Sequence, residues 1–303
     1  VSEAVDFIEY YVRSARAYRT LEGVEAKPLG LVVVVPPWNF PVAIPCGGIA
    51  AALAAGNTVI VKPSPDALLC GYLVCQCFWD AGVPKEALQF IPTASVADAA
   101  RLVGDERVQR VVLTGGTETA FAMLKQRPDL PLLAETGGKN ATIVTAMADR
   151  ELAVKCVLQS AFGHSGQKCS ATSLLILEDE VYNDPAFRTM LVDGARSLKT
   201  GSAWDPATRV NPLVRPPSAK LDRGLKELEQ GEEWALRPER LEHNDCLWSP
   251  GIKWGVQPGS FTHMTEFFGP VLGVLRAKDL DEAIDLVHQT GFGLTSGLHS
   301  LDD

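Results

Sequence analysis

Short runs of β-branched residues alternate with alanine-rich or amphipathic segments through the first half of the chain. The runs predict strands, because a brief apolar run that ends at Gly or Pro is typical of a buried strand. We expect these strands at Leu31–Val35, Thr58–Val61, Leu88–Ile91, Arg110–Leu113 and Leu132–Ala134. The intervening segments predict helices at Ala4–Leu21, Ile44–Ala55, Asp66–Ala81, Ser95–Val103 and Thr117–Lys125. This alternation indicates an α/β fold whose mostly parallel sheet has helices on both faces.

The alternation becomes less regular after Glu135. Helices are expected at Arg150–Phe162, Asp184–Leu198 and Leu280–Thr290, and strands at Ser173–Leu177, Val271–Leu275 and Ser296–His299. Residues 201–259 are rich in Pro, Gly, Trp and charge, which predicts irregular structure. We therefore divide the chain into two domains, 1–134 and 135–303.

Composition agrees with two packed domains and excludes several functions. The 303 residues are 46% hydrophobic and 21% charged, which is enough apolar material for a sizeable core. The net charge is −9 and no cluster of Lys or Arg stands out, so we expect no nucleic-acid binding. The longest apolar runs are too short to span a bilayer, so no membrane segment is expected.

The cysteines and histidines give no sign of disulfides or metal. Seven cysteines lack a disulfide framework, and five histidines are scattered without metal-ligand spacing. We therefore expect no metal site, and we expect six of the seven cysteines to be small buried thiols in a reducing cytoplasm.

Residues that follow the predicted strands are the first candidates for function, because ligands of open α/β sheets bind beyond the carboxyl ends of the strands. Gly115-Gly116-Thr117 forms a glycine-rich turn before a helix, which either binds a phosphate or is ordinary structural punctuation. Lys62 ends an apolar strand, so its ammonium either reaches solvent or donates a hydrogen bond to a cofactor ribose or phosphate.

Cys169 is the candidate nucleophile. It follows the turn Gly163-His164-Ser165-Gly166 and has Lys168 beside it, and a nearby positive charge stabilises a thiolate. A lone cysteine is more often a buried inert thiol, so the choice depends on the residues that accompany it.

Six motifs resemble, in order, the signature motifs of the aldehyde dehydrogenase superfamily. They are Pro37-Trp38-Asn39-Phe40-Pro41, Gly56-Asn57-Thr58-Val59-Ile60-Val61-Lys62-Pro63, Leu113-Thr114-Gly115-Gly116-Thr117, Glu135-Thr136-Gly137-Gly138-Lys139-Asn140, Gly166-Gln167-Lys168-Cys169 and Glu266-Phe267-Phe268-Gly269-Pro270. The resemblance implies the fold of that family: a Rossmann-like cofactor domain (1–134) and an α/β catalytic domain (135–303), truncated at both ends.

The resemblance also implies roles for individual residues. Cys169 would be the nucleophile, Asn39 an oxyanion donor together with the Cys169 N–H, and Glu135 the general base for hydrolysis. The residues implied in cofactor binding are Pro37, Trp38, Lys62, Ser64, Gly115, Gly116, Thr117, Gly137, Glu266 and Phe268.

The implied cofactor is NAD, with NADP not excluded. The family often has Glu where this chain has Pro65, and an acid there would repel the 2′-phosphate of NADP.

Further segments resemble the L-glutamate γ-semialdehyde (1-pyrroline-5-carboxylate) dehydrogenase branch, which includes the dehydrogenase domain of bifunctional proline utilisation proteins. They are Thr200-Gly201-Ser202-Ala203-Trp204-Asp205-Pro206, Leu247-Trp248-Ser249-Pro250-Gly251-Ile252-Lys253-Trp254 and Gly293-Leu294-Thr295-Ser296-Gly297-Leu298-His299-Ser300. The implied small-molecule substrate is L-glutamate γ-semialdehyde, oxidised to glutamate in proline catabolism. Ser170 would bind its α-carboxylate and Phe40 would line its aliphatic stem. The branch further implies a homo-oligomer in the full-length form and, in some members, fusion to a proline dehydrogenase domain.

Three alternatives stay open at this point. The chain could oxidise a different aldehyde, or it could be an acylating dehydrogenase that transfers the thioester to coenzyme A. Glu135 disfavours the acylating reaction, which needs no hydrolytic base. The third alternative is a non-catalytic aldehyde dehydrogenase-like assembly module, which has no need of Cys169, Asn39, Glu135 and Glu266 together.

Overall fold

A computed structural model describes residues 1–302 as two compact units. The first unit spans Val1–Thr136, and the second begins at Gly137. Within the described range, every helix is too short or too polar to cross a membrane.

Helices and strands alternate through the first unit, as the hydrophobic pattern predicts. In chain order they are α1 (Ser2–Arg19), β1 (Leu31–Val35), α2 (Ala43–Ala54), β2 (Thr58–Val61), α3 (Leu68–Asp80), β3 (Leu88–Phe90), α4 (Val96–Val103), β4 (Val108–Thr114), α5 (Thr117–Gln126) and β5 (Leu132–Glu135).

The strands of the first unit form one parallel sheet in the order β3-β2-β1-β4-β5. Val34 lies opposite Val61, and Thr114 lies opposite Glu135. Because every strand points the same way, the residues that follow the strands share one edge of the sheet. The prediction of an α/β fold with parallel strands is confirmed.

Helices cover both faces of this sheet, which explains why β1 is an uninterrupted apolar run. Val32 and Val34 pack into the hydrophobic core shared with α1, α2 and α3, whereas Val33 and Val35 pack into the core on the α4 and α5 side. Close contact with α2 requires a small residue, since a Cβ on Gly48 would lie 2.8 Å from the Val34 side chain.

The second unit contains another set of alternating elements. They are β6 (Ala141–Val144), α6 (Arg150–Phe162), β7 (Leu174–Glu178), α7 (Asp179–Tyr182), α8 (Pro185–Ser197), α9 (Ala219–Lys226), β8 (Glu233–Leu236), β9 (Gly251–Trp254), α10 (Phe261–Met264), β10 (Val271–Ala277), α11 (Leu280–Gln289) and β11 (Ser296–His299).

The sheet of the second unit has the order β11-β6-β7-β10-β9-β8, with only the β8–β9 pair antiparallel. Strands β6, β7 and β10 are therefore parallel neighbours. The segments that precede these three strands meet at the amino-terminal edge of the sheet. The sequence analysis had expected functional residues at the opposite edge, beyond the carboxyl ends of the strands.

The prediction of irregular structure through residues 201–259 is wrong in part, because α9, β8 and β9 lie there. Strand β9 is fully buried although it contains Lys253, whose charge is neutralised by Glu232. A lysine within four residues made the segment look polar in the sequence. Strand β6 was also missed, since it has only four residues and follows the motif Glu135–Asn140 directly.

Candidate active site

Four predicted site segments lie at one edge of the first unit. Asn39 follows β1, Lys62 follows β2, Gly115 follows β4, and Glu135 ends β5. Asn39 is half-buried, as are its predicted neighbours Pro37, Trp38 and Phe40. The parallel sheet therefore brings together residues that the sequence places about 100 positions apart.

Lys62 is buried rather than exposed, with only 9% of its surface accessible. Its ammonium donates a hydrogen bond to the Pro63 carbonyl at 2.9 Å, and burial lowers its pKa. This excludes the interpretation of Lys62 as a lysine that reaches solvent. Ser64 lies next to this strand end, where its hydroxyl accepts a hydrogen bond from the Asp66 N–H at 3.4 Å.

The glycine-rich turn after β4 leaves the amino end of α5 without a capping side chain. The Gly115 N–H donates to the Glu135 carbonyl at 3.1 Å, which ties the turn to β5. Space around Gly116 is open, since a Cβ there would meet only the Thr119 hydroxyl, at 3.8 Å. Thr117, the first residue of α5, is exposed. An open helix amino end of this kind suits a phosphate.

Glu135 is exposed at the end of β5. It lines a mainly apolar cavity of about 420 Å³ within the first unit, together with Pro36 and Thr114. A carboxylate that remains accessible to water is in a suitable position to accept a proton from it.

Cys169 lies in the second unit, half-buried, after a turn of unusual backbone conformation. His164 and Ser165 both have a φ of 55°, and Gly166 has a φ of 67°. Left-handed backbone at non-glycine residues persists only where the surroundings hold it, and it clusters at functional sites. Here the Ser165 hydroxyl donates to the Asn211 carbonyl, and the Gln167 side chain accepts from the Val214 N–H at 2.9 Å.

Lys168 supplies positive charge beside the thiol. Burial lowers the pKa of the Lys168 ammonium, and the charge of Cys169 opposes that shift. An ammonium in this position stabilises a thiolate, as expected for a nucleophilic cysteine.

Asn140 fixes the backbone at Cys169. Its side-chain amide donates to the Cys169 carbonyl at 2.6 Å and to the Ala171 carbonyl at 3.0 Å, while its oxygen accepts from the Thr295 N–H at 3.1 Å. Asn140 was not predicted as a site residue. Its place in the motif Glu135–Asn140 was the one available signal.

Glu266 is held by the same segment that carries Asn140. The Gly138 N–H donates to the Glu266 carboxylate at 2.9 Å. A Cβ on Gly137 would lie 2.1 Å from the other carboxylate oxygen, so glycine is required for the carboxylate to occupy this position. Burial raises the pKa of Glu266, whereas the Gly138 N–H, Lys139 and Lys220 lower it.

The turn before Cys169 also packs against the turn after Glu266. A Cβ on Gly166 would lie 2.2 Å from the Gly269 carbonyl oxygen, so the two backbones are in direct contact. Phe268, between Glu266 and Gly269, has a φ of 56°. Segments 137–140, 163–169 and 266–270 therefore form one cluster at the amino-terminal edge of the second sheet.

Ser170 is exposed next to Cys169. It lines a cavity of about 240 Å³ with Asn140, Ser160, Thr172 and Thr295. Hydroxyl and amide groups of this kind can bind a polar substrate end. No group of metal-binding side chains is found within residues 1–302.

Comparison with known proteins identifies the fold family. A family model described as aldehyde dehydrogenase family matches residues 1–303. The bifunctional protein PutA of Escherichia coli (strain K12) is 35% identical over 319 residues, which cover 100% of this chain and 24% of that protein.

Two solved structures are similar along almost the whole chain. Proline utilization A (PutA) from Corynebacterium freiburgense superposes with a TM-score of 0.95 at 46% identity, covering 99% of this chain and 31% of that one. A 1-pyrroline-5-carboxylate dehydrogenase from Thermus with bound NAD gives a TM-score of 0.88 at 35% identity, covering 99% and 61%. The chain thus spans about a quarter to three-fifths of the length of these relatives.

Proposed function

Because this chain belongs to the aldehyde dehydrogenase family, we propose that it oxidises an aldehyde to a carboxylic acid through a thioester on Cys169. The observation that carries the proposal is the cluster around segment 137–140. There Asn140 fixes the backbone of the thiol, and Gly138 fixes the Glu266 carboxylate. The second unit thus supplies a half-buried thiol beside an ammonium and a carboxylate held in place by a hydrogen bond.

Cys169 begins the reaction in this proposal. Its thiolate attacks the aldehyde carbon and forms a C–S bond, while the carbonyl π electrons move to the oxygen. We assign the stabilisation of that oxyanion to the side-chain amide of Asn39 and the Cys169 N–H. Lys168 favours the thiolate before the attack.

The residues proposed for the coenzyme fit a nicotinamide dinucleotide. The uncapped amino end of α5 suits its phosphates, and a buried Lys62 ammonium suits a hydroxyl or phosphate oxygen. Glu266 keeps one carboxylate oxygen on the Gly138 N–H, which leaves the other as an acceptor for ribose hydroxyls. The chemistry that a bound nicotinamide supplies is acceptance of a hydride from the carbon on Cys169, which leaves a thioester.

Glu135 completes the cycle. We assign it to remove a proton from the water that attacks the thioester, so that the C–S bond breaks and the thiolate returns. Its exposed carboxylate at the end of β5 supports the role, because the base must be accessible to water.

We further propose L-glutamate γ-semialdehyde as the aldehyde. Relatives whose names give 1-pyrroline-5-carboxylate dehydrogenase activity support this choice, as do the hydroxyl of Ser170 and the ring of Phe40. The serine would bind the α-carboxylate and the ring would contact the aliphatic stem. We also keep as predictions NAD as the coenzyme, a homo-oligomer, fusion to a proline dehydrogenase domain and a cytoplasmic location. The roles of the first unit in cofactor binding and of the second in catalysis are predictions as well.

The test is formation of NADH from NAD and glutamate semialdehyde, followed by absorbance at pH 7.5. Free glutamate should appear without coenzyme A, which separates hydrolysis from acyl transfer. Cys169→Ala should lower the rate at least about 1,000-fold, because the covalent step is lost. Cys77→Ala is the matched control, since Cys77 of α3 is exposed, where the sequence predicted a buried thiol.

The aldehyde is tested by comparing glutamate semialdehyde with butanal, which lacks the charged end. A kcat/KM at least about tenfold higher for the semialdehyde would support the assignment, and Ser170→Ala should reduce that preference. Activity that survives in Cys169→Ala would refute the proposed nucleophile, and equal rates with both aldehydes would refute the proposed substrate.

A further inference from the structure

Lys139 lies near Glu266, the carboxylate that we assign to coenzyme binding, and is buried without a hydrogen-bond acceptor in the described part of the chain. Lys139 is 1% exposed, and its ammonium has no hydrogen-bond partner among residues 1–302. An unpaired ammonium in a protein interior is costly, so the fold gains little stability from it. Such a group calls for a role other than packing.

A second buried lysine nearby shows what a satisfied ammonium looks like in this interior. Lys253 pairs with Glu232 at 3.2 Å and donates to the Thr262 hydroxyl at 3.1 Å. Both ammonium groups face the ring of Phe267, at 4.6 Å for Lys139 and 5.8 Å for Lys253. Lys253 thus has its own carboxylate, whereas Lys139 does not.

The carboxylate that acts most strongly on Lys139 is Glu266. Gly138 and Lys139 contact two successive residues of the segment that carries Glu266. The Gly138 N–H donates to Glu266, and the Lys139 ammonium lies over the ring of Phe267. The backbone thus fixes where the Glu266 carboxylate lies, and the lysine supplies charge next to it.

We propose that Lys139 is a positioning residue for the coenzyme: its buried ammonium keeps Glu266 ionised, so that the carboxylate accepts hydrogen bonds from the nicotinamide ribose. This inference rests on the proposed function, in which Glu266 contacts that ribose. Lys139 itself need not touch coenzyme or substrate.

The electrostatic balance around Glu266 gives the direction of the effect. Burial raises the pKa of this carboxyl, and the Gly138 N–H, Lys139 and Lys220 oppose the rise. The other charged groups around Lys139 are Lys253 and Glu232, which neutralise each other. The Lys139 charge also lowers the pKa of His263. Removal of the Lys139 charge therefore raises the pKa of Glu266, and a protonated Glu266 accepts hydrogen bonds poorly.

The experiment measures the dissociation constant of NADH by fluorescence between pH 5 and 9, without turnover. In the wild-type protein, affinity should fall on acidification as Glu266 takes a proton. In Lys139→Met that fall should begin about one pH unit higher, so that NADH binds about tenfold more weakly on the acid side. In a Glu266→Gln background, Lys139→Met should change neither the affinity nor its pH dependence.

Stability separates this role from a structural one. Lys139→Met should unfold at the same temperature as the wild type or higher, because a methionine fills the site without a buried charge. Lys253→Met is the matched control. It removes the cation that pairs with the buried Glu232 carboxylate, so it should unfold at a lower temperature without moving the pH profile of NADH binding.

Each outcome decides the matter. Identical pH profiles for wild type and Lys139→Met would overturn the inference while leaving the proposed function intact, provided that Glu266→Gln weakens binding. No NADH binding by the wild-type protein at any pH would overturn the proposed function itself. Loss of folded protein in both Lys139→Met and Lys139→Gln would assign Lys139 to structure and also overturn the inference.

Discussion

Replacement of Gly137 by alanine tests whether the position of the Glu266 carboxylate matters. Gly137 has no left-handed backbone angle, so alanine is compatible with its conformation. The added Cβ would lie 2.1 Å from one carboxylate oxygen of Glu266 and 2.7 Å from the other. The perturbation is therefore steric and is directed at one side chain.

The size of the effect follows from these distances. Non-bonded carbon and oxygen atoms need about 3.5 Å, so the carboxylate must move by more than roughly 1 Å. The 2.9 Å hydrogen bond from the Gly138 N–H cannot survive that displacement. A hydrogen bond to a charged group is worth about 1.5–3 kcal/mol, which corresponds to roughly 10- to 150-fold weaker binding of a ligand that needs the carboxylate in place.

The assay is titration of Gly137→Ala with NADH, followed by fluorescence, beside a matched control. Gly293→Ala serves as that control, because a Cβ on Gly293 meets no atom within 4 Å and its backbone is not left-handed. The control should bind NADH as the wild type does. Gly137→Ala should bind at least about tenfold more weakly.

A Gly137→Ala protein that is folded and binds NADH with wild-type affinity would refute the reasoning. It would mean either that Glu266 adapts without loss, or that the carboxylate does not contact the coenzyme. Glu266→Gln distinguishes the two, because only in the second case does it also bind normally.

Three further predictions follow from the same cluster. Asn140→Asp should lower kcat at least about tenfold and destabilise the protein by about 1–3 kcal/mol in urea unfolding, because a carboxylate cannot donate to the Cys169 carbonyl; unchanged kcat would contradict it. Gly166→Ala should lower the free energy of unfolding by about 3 kcal/mol or more, since its φ is 67° and the added Cβ meets the Gly269 carbonyl. Gly82→Ala is the control: its φ is 97° and the space around it is open, so only the cost of the left-handed backbone should appear. The pKa of Lys139 is about 7 in the folded protein, below its ordinary 10.5, so the unfolded chain binds more protons between these values and the unfolding free energy should rise with pH there. Lys139→Met should make that rise smaller in urea unfolding at pH 7 and pH 10, while the lowered pKa values of Lys62 and Lys168 leave part of it in place.

Much of the architecture could be predicted because it depends on local pattern. The valine run of β1 is buried on both faces, and the turns after β1, β2 and β4 carry their Pro and Gly where the strands end. Each of these signals lies within a few residues of its effect.

The errors lie where burial overrides the local pattern. Lys253 made β9 look polar, although its ammonium is neutralised by Glu232 from outside the strand. Lys62 could be either exposed or buried on sequence grounds, and only the packing around β2 decided that it is buried. In each case the deciding neighbour is distant from the strand pattern itself.

The sequence by itself determined which chemical groups this protein has: a thiol after a glycine-rich turn, a carboxamide, and carboxylates in an order that resembles one family. Tertiary structure decided which of them meet. Gly138 and Glu266 are 128 positions apart, and Asn140 and Cys169 are 29 apart. Their contacts exist because β6, β7 and β10 are parallel neighbours, and strand order depends on packing over the whole sheet. The same packing excluded water from Lys139. The pKa of an ammonium falls far below its ordinary value only where the fold excludes solvent from it.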